Sequence, residues 1–200
     1  MPGYGSAGKS LGDAATKRQF GKNADIGAAG ERAYMQTLRK AGLTDIYDVH
    51  ASLRIPQAKG GGGTRYSSDV DFAVANGNRL ILVDVKRWAS GFHYWSFMGF
   101  PFKNLVPMMK GGKWRMSANM AGALARYRDN LPGVHVEGLV VFVATNNRGA
   151  MPASVGFLRW PGGIPSALSG DSIHRIRRVL GKKAEPVDPK IKSLLGRMTR

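Results

Sequence analysis

Apolar positions along the middle of the chain follow two clear periods. Ile26, Tyr34 and Leu38 recur at helical spacing and predict a helix that opens at Asp25 as its N-cap and ends near Gly42. A strand is expected over residues 45–53, followed by a mobile loop at 59–64 that contains four consecutive glycines. Residues 68–75 and 79–86 are rich in β-formers and flank Asn76-Gly77, a strong hairpin signal. Met120, Leu124, Tyr127 and Leu131 mark an amphipathic helix stopped by Pro132-Gly133. Residues 136–144 read as a buried strand, 155–160 as a weaker one, and 171–180 as a last helix. This order of helix, strand, hairpin, helix and strand predicts an α/β fold, a mixed central sheet flanked by helices.

The hairpin carries the candidate chemistry. Strand alternation puts Asp69, Asp71 and Ala73 on one face and Val70, Phe72 and Val74 on the other. On the partner strand Asp84 and Lys86 point one way, and Val83 and Val85 the other. Asp71, Asp84 and Lys86 can therefore form one cluster. Carboxylates inside an apolar run are costly unless a cation or hydrogen bonds compensate them. Carboxylate oxygens suit Mg²⁺ or Mn²⁺, which in turn bind phosphate oxygens, and a nearby lysine can steady charge developing there. From the residues alone a structural ion-pair cluster remains the competing reading, and Asp69 reads as a solvated or arginine-paired strand residue.

Charge narrows the class of partner. The chain has 200 residues, with 30 Lys and Arg against 13 Asp and Glu, a net charge of +17. Such an excess favours a polyanion, above all nucleic acid. Nine basic residues and only two acidic ones fall in residues 172–200. Residues 1–24, rich in Gly, Ala, Ser and Lys, read as a flexible basic arm, and residues 182–200 as a basic C-terminal tail. The absence of cysteine removes thiol catalysis, disulfides and Cys-ligated zinc, and fits a reducing cytoplasm. No apolar run approaches the length of a membrane span, so no membrane partner is expected. The tetraglycine run lacks the Gly-Lys-Ser/Thr ending of a phosphate-binding loop, and His50, His93, His135 and His174 lack metal-ligand spacing. Phe92, Tyr94, Trp95 and Phe97 form an aromatic cluster that either stacks on bases or covers a core or a homodimer interface.

Asp71, followed thirteen residues later by Asp84-Val85-Lys86 across a hairpin, resembles the PD-(D/E)XK nuclease superfamily. Three further features resemble its nuclease-related (NERD) domain. They are the glycine-flanked Glu31 in Gly27-Ala28-Ala29-Gly30-Glu31, the strand around Asp69-Val70-Asp71-Phe72, and Val83-Asp84-Val85-Lys86-Arg87-Trp88 followed by Gly91. The resemblance covers about residues 25–145 and implies a restriction-endonuclease-like core, in a nuclease-like domain expected over residues 25–181. It implies Asp71, Asp84 and the Val85 carbonyl as ligands of Mg²⁺ or Mn²⁺, Lys86 as the catalytic lysine, and Glu31 as an auxiliary acid. Where that family often opens its second helix with Gln, the nearest polar residues here are Asn119 and Ser117. Glu31 lies on nearly the same helical face as Leu38 and is expected to point at the sheet. The expected activity is metal-dependent endonucleolytic hydrolysis of DNA. The alternatives are a non-catalytic nucleic-acid-binding protein on the same fold and an RNA-directed nuclease.

Overall fold

A computed structural model describes Ala7, residues 22–58, 69–88, 119–144 and 159–199, and five short strand segments between 93 and 114. The elements are α1 (Lys22–Lys40), α2 (Leu43–Ile46), β1 (Asp48–Leu53), β2 (Val70–Asn76) and β3 (Arg79–Trp88), then α3 (Asn119–Asn130) and β9 (His135–Ala144). After these come β10 (Arg159–Trp160), β11 (Ile164–Leu168), α4 (Ser169–Leu180) and α5 (Pro189–Met198). Between β3 and α3 lie β4 (His93–Trp95), β5 (Pro101–Lys103), β6 (Val106–Pro107), β7 (Met109–Lys110) and β8 (Lys113–Trp114). The first three pair with one another, as do the last two. The side chains of the aromatic cluster, the tetraglycine loop and nearly all of the N-terminal arm lie outside the described residues.

Six strands form one mixed sheet in the order β1-β2-β3-β9-β11-β10. β1, β2 and β3 are antiparallel, β3–β9 and β9–β11 are parallel, and β10 closes the edge antiparallel to β11. Helices cover both faces, as expected of an α/β restriction-endonuclease-like core. On one face Tyr34, Leu38, Phe72, Val74, Ile81, Val83 and Ile176 pack α1 and α4 onto the sheet. On the other Leu80, Leu82, Met120, Tyr127, Phe142, Trp160, Ile191 and Leu195 pack α3 and α5.

Several sequence expectations are corrected here. The first helix starts at Lys22, so Asp25 lies in its first turn rather than at its N-cap, where its charge still complements the helix dipole. Ile26 is exposed, and the buried stripe is Tyr34, Met35 and Leu38. Residues 43–46 are a helical turn, with Leu43 fully buried, and the strand begins only at Asp48. The hairpin is real, but Asn76 pairs with Arg79 and the turn is Gly77-Asn78. Gly77 has φ 55° at the first central position, as in a type II′ turn. Buried Asn76 uses its amide instead to hold the C-terminal segment. Its Nδ2 donates to the Leu180 and Lys183 carbonyls, and its Oδ1 accepts from the Glu185 N–H.

Residues 182–200 are not simply a tail. Asp188 caps α5 by accepting the Lys190 N–H, and Ile191, Leu194 and Leu195 enter the core. The Arg54 N–H then donates to the Met198 carbonyl at 2.8 Å, which ties the chain end to β1. Thr199 bonds His50 Nδ1 at 2.9 Å, and His50 Nε2 lies 3.4 Å from Asp48. Of the expected strand at 155–160, Arg159–Trp160 is observed, and residues 151–158 lie outside the described residues.

Candidate active site

Two backbone features open the sheet at the site. β1 and β2 pair at Ala51↔Phe72 and again at Leu53↔Val70, but no pairing joins Ser52 to Asp71. Ser52 is fully buried and has φ 55°, in the left-handed region that a residue with a Cβ seldom adopts. Residues two apart on a strand normally share a face. Here Ala51 and Phe72 face α1, whereas Leu53 and Val70 face α3. Both strands turn over together at Ser52 and Asp71, which corrects the expectation that Val70 shares a face with Phe72 and Val74.

The second feature is the end of the β2–β3 ladder at Phe72↔Val83. One step beyond, the Asp71 side chain replaces the missing backbone acceptor, with its Oδ2 accepting the Val85 N–H at 2.6 Å. Asp71 is thus fixed in the fork between two strands. β3 continues along β9 through Asp84↔Val140 and Lys86↔Phe142, which gives Asp84 and Lys86 a rigid backing. Lys86 Nζ lies 2.8 Å from both carboxylate oxygens of Asp84.

Glu31 arrives from the opposite face. It is buried, as the helical spacing predicted, because α1 lies close against β3. Gly30 permits the approach, since a Cβ there would sit 3.0 Å from the Arg87 Cβ. The sequence signal of a glycine before the glutamate therefore has a packing cause.

These charges act on one another. Burial pushes the Asp71 carboxyl well above the usual carboxylate range, and the neighbouring charges of Glu31 and Asp84 push the same way. Lys86 and the Val85 N–H oppose that shift. For Lys86, burial pulls the ammonium down, but Asp84, Asp71 and Glu31 outweigh it and raise its pKa above the ordinary value. Three carboxyl groups thus share one ammonium. This set fits a divalent cation, which prefers oxygen ligands and would offset the carboxylate charge that Lys86 leaves uncompensated. No group of three or more His, Asp or Glu side chains is assembled to hold an ion among the described residues.

Asp84 and Lys86 open into a cleft whose other polar walls are Asp69 and Asn119, with Val70 and Met120 on the apolar side. Asp69, expected as a solvated or arginine-paired strand residue, also lines this cleft, from the position just before β2 begins at Val70. Asn119 lines it as the first residue of α3, and Ser117 lies outside the described residues. Trp160 was not anticipated. Its ring lies 6.0 Å from Lys86 Nζ and packs with Trp88 and Phe142, and its 74-residue separation from Lys86 leaves no local signal. Of the histidines, His50 is buried against Asp48 and Thr199, His135 pairs with Glu137, and His174 is exposed. The side chain of His93 is outside the described residues.

A mixed sheet forked at a half-buried aspartate, with a carboxylate–lysine pair on the adjoining strand, defines a restriction-endonuclease-like α/β protein. The sequence profile of the nuclease-related domain (NERD) matches residues 26–143, more than half of the chain, and the protein belongs to that family. No curated protein and no solved structure matched the chain.

Proposed function

We propose that the protein is a divalent-metal-dependent nuclease that hydrolyses DNA phosphodiester bonds. The observation that carries this reading is the convergence of Asp71, Asp84, Lys86 and Glu31 at the fork of β2 and β3. Asp71 and Asp84, with the Val85 carbonyl, would hold Mg²⁺ or Mn²⁺, which supplies a Lewis acid for the scissile phosphate and a water of lowered pKa. Glu31 backs Asp71 from the helix side and adds negative charge to the cation site. Lys86, a half-buried ammonium beside three carboxyl groups, stays charged, so it stabilises charge developing on the phosphate and orients the attacking water rather than serving as a base. The net charge of +17 draws a phosphate backbone to the protein with little sequence preference.

The ion pair of Lys86 with both oxygens of Asp84 favours a second reading, a nucleic-acid-binding protein in which this pair is structural. Incubation with duplex and single-stranded DNA and with RNA, in Mg²⁺, Mn²⁺ or EDTA, separates the two. The nuclease reading expects metal-dependent DNA cleavage that Asp71→Asn abolishes, with DNA binding in EDTA retained. Cleavage that survives both Asp71→Asn and Lys86→Met in nuclease-free preparations would exclude this site. A preference for RNA would reassign the substrate.

A further inference from the structure

The end of the sheet remote from the cleft collects cations. The chain ends of α1 and α4 and the β2–β3 turn all meet there. Arg177 donates to the Ala41 carbonyl, Arg79 to the Val179 carbonyl, and the Asp188 N–H to the Gly77 carbonyl. Six basic side chains are exposed at this pole: Arg39, Lys40, Arg79, Arg178, Lys182 and Lys183. None of the six is in an ion pair among the described residues. The exposed acids on elements that end here are Asp45, Asp129 and Glu185, while Glu137 is taken up by Arg175 and His135.

This surface is separate from the cleft. Arg79 and Asp84 lie five residues apart on the straight strand β3, about 17 Å at roughly 3.3 Å per residue. Lys182 and Lys183 lie at the turn end of that strand, where Asn76 binds the Leu180 and Lys183 carbonyls. A duplex seated in the cleft at the opposite end of the sheet leaves these cations unmet. A membrane surface is the poorer fit, because basic interfacial helices pair their cations with exposed apolar residues. Among the described residues the exposed large hydrophobic is Ile26, at the other end of α1.

We propose that this pole binds the phosphate backbone of a second nucleic-acid duplex segment, so that one chain bridges two segments. The inference rests on the nucleic-acid reading above but not on cleavage. The test uses the full chain carrying Lys86→Met, in EDTA, with a 12-bp duplex at low salt, and measures stoichiometry by analytical ultracentrifugation. Two duplexes per chain are expected, falling to one in the Arg178→Glu/Lys182→Glu/Lys183→Glu variant. With a longer duplex, the slope of log affinity on log salt should become shallower by up to about 2.7, at about 0.9 per lost phosphate contact. The milder Gln triple variant should shift in the same direction if charge reversal disturbs folding. One duplex per chain in both proteins overturns the inference, and it does so even if the unmutated site cleaves DNA. Two duplexes bound by a protein that does not cleave overturns only the nuclease reading. Variant-sensitive binding to phosphatidylserine vesicles, with duplex binding unaffected, assigns the pole to a membrane and also overturns it.

Discussion

Asp71 holds a carboxyl group where its ionised form is least stable, so it contributes to stability with an unusual sign. A carboxyl whose folded pKa is raised binds its proton more tightly in the native state. Stability should therefore fall as pH rises from the unfolded carboxyl value, near 4, through the raised value, and remain lower above it. Asp71→Asn keeps an oxygen to accept the Val85 N–H but removes the half-buried charge that Glu31 and Asp84 repel. In EDTA it should melt higher than wild type at pH 7–8, by roughly 2–4 °C per kcal/mol relieved, and lose that gain below about pH 4. A lower melting temperature at pH 8 would show that the carboxylate is compensated. Added Mn²⁺ should reverse the order, because an ion bound only by the folded protein stabilises it. Asp84→Asn should remove this gain, and an unchanged shift in that variant would place the ion elsewhere. Lys86→Met removes one cation of 30, so it should abolish cleavage and weaken duplex binding only slightly.

At the scale of elements, two contacts set the positions of the site and of the chain end. Gly30 lets α1 lie on β3, and Gly30→Val would drive a branched side chain into Arg87. Overpacking of this kind typically costs about 1–3 kcal/mol, and urea denaturation should show it together with reduced metal-dependent cleavage as Glu31 is lifted from Asp71. Unchanged stability would mean that α1 shifts freely. Helix α5 is the second contact. Its basic residues suggest a tail that attracts phosphate, yet Leu194 and Leu195 are buried and Asn76 ties in the segment before it. Leu195→Ala should cost about 2–5 kcal/mol in urea denaturation. Deletion of residues 182–200 should therefore abolish cooperative unfolding rather than merely weaken DNA binding, and a cooperatively folded truncation would contradict this packing.

For the molecule as a whole, the hairpin, the inward Glu31 and the grouping of Asp71, Asp84 and Lys86 were legible in the sequence. Each is set by a period of two or 3.6 residues and a short turn, so neighbouring side chains decide it. Even there the reading slipped by one residue at Asn76, because its amide bonds to partners more than 100 positions away, which no local pattern records. Ile164–Leu168 was missed because Pro165 reads as a breaker, while its pairing is supplied by β9 and β10. Tertiary structure alone decided that β1 and β2 turn over at Ser52 and Asp71, opening the fork in which the Asp71 carboxylate accepts the Val85 N–H. It also brought Trp160 to Lys86, buried α5, and gathered Arg39, Arg79, Arg178 and Lys182 at one pole. Local spacing fixes which face a residue takes, whereas these arrangements depend on contacts between segments distant in the chain, whose energies appear only once the sheet is assembled.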